Sequence, residues 1–184
     1  KSNDHGLTWS LMAAEVCVQA HGAHRGYGGA LAVRPGYVIV ATPGCGIFFV
    51  SATGSNDGGN KGTWFTAVAA DYYNWAVAMH HPVSGAKGGL WRPGGAKGQW
   101  QKLFDGDFTA VALGSNGTVY LGGNDGLWRL ENGKKTPELL LANAFCPKPT
   151  TAWKKKAPTP RVTSLFVMGK TVVFGTRRHS GWGG

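Results

Sequence analysis

The sequence predicts an all-β protein, a β-propeller of four-stranded antiparallel blades. Two observations carry that expectation. Thirty glycines and a rich set of aromatics (eight Trp, five Tyr, eight Phe) with only 15% charged residues favour many short strands and tight turns over helices. Short strand-like runs also recur along the chain in one fixed order, the mark of a repeat architecture.

The chain opens on Ser2, Asp4, Gly6 and Trp9, spaced as S-x-D-x-G-x-x-W. Ser and Asp side chains close tight turns by accepting bonds from nearby backbone N–H groups. Gly6 permits the positive φ such a turn needs. Trp9 begins the run Trp9-Ser10-Leu11 and is expected to drop its ring between layers of sheet. This spelling resembles the Asp-box of BNR-repeat β-propellers, such as sialidases, xyloglucanases, sortilin-type receptors and several lectins. The resemblance implies a fold more than an activity. In those families the box lies on the rim of a blade, between its third and fourth strands and away from the active face. Ser2, Asp4, Gly6 and Trp9 are thus expected to be structural. Ser55-Asn56-Asp57-Gly58-Gly59 followed by Thr63-Trp64 resembles a second box with an enlarged loop, built on Asp57 and Trp64.

Four runs read as first strands: Ala30–Val33, Ala76–Met79, Ala110–Leu113 and Ser164–Val167. Their small and aliphatic residues suit strands crowded around an axis. Second strands follow at Tyr37–Thr42, Thr118–Gly122 and Thr171–Gly175, after Pro35-Gly36, Asn116-Gly117 and Gly169-Lys170 turns. Third strands open with glycine at Gly46, Gly89 and Gly126. Fourth strands are expected at Thr63–Thr66, Gln99–Leu103 and Glu138–Leu141. The interval from Met79 to Gly89 leaves no room for a normal second strand, so that unit is expected to be short or reshaped.

The C-terminal run supplies strands one and two of a last blade. Leu7–Met12 supplies its fourth strand after the opening box. The ends are therefore expected to share one blade, which pairs otherwise open edges. The units become about 24–70, 71–104, 105–142, and 161–184 plus 1–20, giving about four blades in a single domain. The alternatives are part of a propeller of roughly six to eight blades, or two copies sharing a larger ring. Beginning within a motif, the chain reads as processed or trimmed, with no signal peptide at its head. A secreted or extracytoplasmic location is expected.

Residues 143–160 break the period. Pro147, Pro149, Pro158 and Pro160 bar a central strand, and Lys154, Lys155 and Lys156 beside Trp153 make the loop basic. The net charge of +10 favours acidic partners. No nucleic-acid motif sharpens that preference, and no run approaches the ~20 apolar residues of a membrane span. Cys17, Cys45 and Cys146 lack metal-site spacing; one disulfide plus a free thiol is compatible with them. No cofactor or metal is expected. Asn116-Gly117-Thr118 fits a glycosylation sequon, but Asn-Gly is better read as a hairpin turn.

In a propeller, loops leading into the first strands converge on one face. They carry His24, Arg25, Tyr27, Asp71, Tyr72, Tyr73, Asp107 and Arg161, with Arg177 reaching the same face from the last hairpin. Aromatic faces among polar groups suit sugars, so His24, Arg25, Tyr27, Tyr72, Tyr73, Arg161 and Arg177 are the expected ligand contacts. Glycoside hydrolysis would need two carboxyl groups flanking the bond, and resemblance to the xyloglucanases favours Asp71 and Asp107. The Arg triad and Tyr nucleophile of sialidases match no motif here. A non-catalytic recognition or scaffold domain is expected, binding a glycan or an acidic partner. The alternatives are a carboxylate-based glycoside hydrolase and a structural subunit of a larger assembly.

Overall fold

A computed structural model of the chain describes residues 2–10, 30–42, 46–58, 65–71, 75–79, 88–94, 100–123, 126–142 and 160–178. Apart from one 3₁₀ turn at Ser115–Gly117, the regular elements among them are strands, and each ladder is antiparallel. The first sheet runs β1 (Ala30–Arg34), β2 (Tyr37–Thr42), β3 (Gly46–Ser51), β4 (Gly54–Asp57) in that order. The second is β5 (Phe65–Ala70), β6 (Trp75–Met79), β7 (Gly89–Pro93), β8 (Trp100–Asp105). The third is β9 (Phe108–Leu113), β10 (Val119–Gly123), β11 (Gly126–Leu130), β12 (Glu138–Ala142). The last two, β13 (Pro160–Met168) and β14 (Thr171–Arg178), form a hairpin.

Local sequence explains the meanders. Asn116 and Gly117 both take positive φ, at 63° and 74°, the mirror-image turn that matches the twist of a hairpin. Gly126 opens a third strand with φ +141°, and a Cβ there would collide with the Leu141 carbonyl of β12. The recurring glycine at this point thus lets the fourth strand cross close by.

The first two units divide differently from the sequence expectation. Phe65–Ala70 is the first strand of the second sheet, in register with Trp75–Met79, and does not close the first. Ala76–Met79 is accordingly a second strand, and the second sheet has its full four. The first sheet closes instead on Gly54–Asp57, paired with Phe48–Ser51. The reason is a tight turn: the Ser51 hydroxyl donates to the Gly54 carbonyl at 3.2 Å, so the chain reverses at once. Asp57 therefore lies in a strand and not in an enlarged loop. Trp64 lies outside the described residues.

The opening loop closes as its residue types predict. The Gly6 N–H donates to Ser2 Oγ at 2.8 Å, and the Thr8 N–H to Asp4 Oδ1 at 2.9 Å. Gly6 has φ +91°. Trp9 departs from expectation: it is 76% exposed, with its indole N–H bonded to the Gly6 carbonyl at 3.0 Å. Leu7–Ser10 joins no ladder among the described residues, where β14 pairs with β13 alone; Leu11 and Met12, the rest of the expected shared-blade strand, lie outside them. Local hydrogen bonds hold the loop to itself.

First strands pack on one another from sheet to sheet: β1 on β5, β5 on β9, and β9 on β13. Between the first and second sheets lie Ala32, Ile39, Ala41, Ile47, Phe65 and Val68. Between the second and third lie Ala67, Leu90, Phe108, Val111 and Leu121, with Phe104 tilted against Phe108 at 5.0 Å. The last hairpin seats Val162, fully buried, over Gly122 of β10, and the Thr109 hydroxyl donates to the Val162 carbonyl at 2.6 Å. No helix among the described residues is long and apolar enough to cross a membrane.

Two expectations follow. Gly122→Ala sets a Cβ into Val162 and should lower stability by about 1–3 kcal/mol, read by denaturant unfolding. The Thr8 hydroxyl and N–H, with Ser2, hold the Asp4 carboxyl at about 2, below its ordinary 3.8. A lowered carboxyl favours the ordered loop above the ordinary value and loses that hold as pH falls through about 2. NMR should show Asp4 titrating near 2 with the Thr8 amide shifting alongside it; an ordinary midpoint would contradict the hydrogen bonding.

Candidate functional site

Between the outer strands of the second sheet and the strand ends and turns of the third lies a cleft of about 390 Å³. β7 and β8 supply Arg92, Gln101 and Lys102, and the turn from β11 to β12 supplies Glu131, Lys134 and Lys135. Leu103, Leu113, Val119 and Leu130 form an apolar floor. Four cationic side chains thus face one carboxylate across a half-apolar hollow.

Their partners decide how much charge remains open. Lys102 pairs with Asp105 and lies over the Trp91 ring, 5.4 Å from its centroid. Lys134 meets Glu131 at 2.7 Å, which together with Arg129 holds the Glu131 carboxyl below its usual range. Arg129, beneath the turn, is engaged by Glu138 at 2.6 Å and by Glu131 at 3.4 Å, and its guanidinium is pushed up, mainly by the Glu138 hydrogen bond. Among the described residues, Arg92 and Lys135 have no carboxylate partner. Arg92 reaches only Gln101, through two long contacts of 3.4 Å.

The repeat explains this difference. Gly89-Leu90-Trp91-Arg92 and Gly126-Leu127-Trp128-Arg129 are equivalent third strands, each with a register shift at its Leu–Trp step. Arg129 stands opposite Glu138, and Arg92 stands opposite Gln101. One unit carries its own counter-charge and the other carries a neutral amide in that place. Arg92, Lys102, Lys134 and Lys135 escape a search directed at first-strand loops. The signal that reveals them is the Glu-to-Gln change between aligned fourth strands.

The expected site residues fare unevenly. His24, Arg25, Tyr27, Tyr72 and Tyr73 lie outside the described residues, as do all three cysteines and most of the 143–160 loop. Arg161 and Arg177 are direct register partners on β13 and β14. Asp71 follows β5, so it sits at the exit of a first strand; Asp107 precedes β9, at the entrance of one. Both are half-buried. These carboxylates therefore sit at opposite ends of their respective first strands, where the sequence expectation has both at the entrance.

No protein-family model matches the chain, and no curated protein matches it. Among solved structures it is similar to the computationally designed Ika4 protein, with a TM-score of 0.53 at 15% identity over 92% of this chain and 94% of that one. At that identity the likeness concerns the fold alone.

Gln101→Glu should give Arg92 the partner that Arg129 already has. The variant is expected to keep its fold by circular dichroism and to gain a small increment of stability at low salt that screening removes, read by denaturant unfolding at two salt concentrations.

Proposed function

We propose that this chain is a non-catalytic recognition module of β-propeller design, which holds an acidic glycan in the cleft between its second and third sheets. The observation that carries this is the pair of uncompensated cations, Arg92 and Lys135, beside an apolar floor. An acidic sugar offers a carboxylate or sulfate to a guanidinium fork and a C–H face to the floor. Arg92 stands ready for a bidentate contact because Gln101 engages it only at 3.4 Å. The strong positive charge of the chain would draw such a ligand in from solution.

Three four-stranded antiparallel meanders packed first strand to first strand support the propeller design, in which blades stand radially about an axis. The Ser2–Trp9 loop, with its Asp4 hydrogen bonds, is in keeping with an Asp-box.

The test compares carboxylated and sulfated oligosaccharides with neutral ones of equal length. Acidic sugars should bind, and affinity should fall as salt rises. Arg92→Ala and Lys135→Ala should each weaken binding by about tenfold, the size of one lost charge-assisted hydrogen bond. Equal binding of neutral sugars, or product release from them, would refute the proposal. Selective binding of an acidic peptide would move the ligand to a protein partner.

A further inference from the structure

Among the described strands the sheets form an open series. β1 packs on β5, β5 on β9, and β9 on β13, but β1 and β13 have no comparable packing on each other. An internal first strand is covered on both faces: in β9, Phe108, Ala110, Val111 and Ala112 are all buried. The two terminal first strands are covered on one face only. In β1, Ala32 is buried against the second sheet, while Leu31 and Val33, on the opposite face, are 68% and 74% exposed. In the last hairpin, Phe166 and Met168 are 63% and 64% exposed, and Val173, the register partner of Phe166, is 52% exposed.

These two patches are alike in chemistry and place. Neither carries a charge among the described side chains. Farther out on the first sheet's open face, Phe48 and Val50 are buried, so its exposed patch is confined to the innermost strand. That strand is the one each internal junction uses.

We propose that a second copy of this chain covers both patches. The Leu31–Val33 face of one copy seats on the Phe166–Val173 face of the other, and reciprocally, closing one ring from two chains. The interface continues a packing that the chain already builds three times, between first strands of successive sheets. It is heterologous, pairing the front of one copy with the back of the next, and such contacts form rings when the rotation closes. Four sheets from each chain would make about eight, within the usual range for such rings. The pairing rests on the radial packing proposed above and not on the anionic cleft. Salt separates the two: screening should strengthen the union of two strongly cationic chains through apolar faces, while it weakens anion binding.

The experiment is sedimentation equilibrium of the whole chain over a dilution series at two salt concentrations. A dimer that tightens with salt is expected. Leu31→Glu and Phe166→Glu should each give monomers, because each blocks one side of both junctions. Mixed in equal amounts, the two variants should recover a one-to-one dimer, since the open back of the first meets the open front of the second. Val33→Glu and Val173→Glu provide a second pair should either of the first lose its strand content by circular dichroism. A parent chain that stays monomeric, single variants that still dimerise, a mixture without recovery, or an open-ended polymer would each overturn the proposal.

Discussion

Contact between the innermost strands of neighbouring sheets is the constraint on which the rest depends. Four-stranded sheets this short hold too little surface to stand alone, so each must bury its faces on a neighbour. Small residues make that contact close. Alanine fills Ala32, Ala67, Ala110 and Ala112, and larger side chains such as Ile39, Leu90 and Leu121 fill the space farther out, fully buried. At the last junction even alanine is too large for position 122, and Val162 rests on bare backbone. The outer strands are freer to differ because little packs against them: β12 is exposed along its whole length.

That division of labour places the cleft. Where inner strands touch, the sheets cannot part. At the strand ends, where β7 and β8 face the β11–β12 turn, a space is left open. Residues there answer to solvent and charge more than to packing, which is why one repeat can carry glutamate opposite its arginine and another glutamine. The charge imbalance thus arises by substitution at a position the fold leaves unconstrained.

The same division governs what the sequence shows. Turn chemistry is local, so Asn116-Gly117 and the glycines opening β7 and β11 can be read directly, as can the Ser2–Trp9 loop. Unit boundaries are harder, because a first and a second strand built of small aliphatics look alike. Ala76–Met79 resembles Ala110–Leu113 as a string of four. A longer comparison decides against it: Phe65–Ala69 and Phe108–Ala112 both read Phe-Thr-Ala-Val-Ala, and both are first strands. The exposure of Trp9 is not written locally at all, since it depends on whether a sheet edge reaches the loop. Nor is the cleft, which joins side chains from two repeats and emerges only when their fourth strands are aligned residue by residue.

The seating of Val162 on Gly122 has one more consequence. Among the described residues the final hairpin has two strands where the other sheets have four, and so fewer described backbone bonds tie it into a sheet. Local opening begins where cooperative contacts are sparsest. This terminal wedge should therefore detach before the remainder melts, giving the molecule a hinge at its own seam.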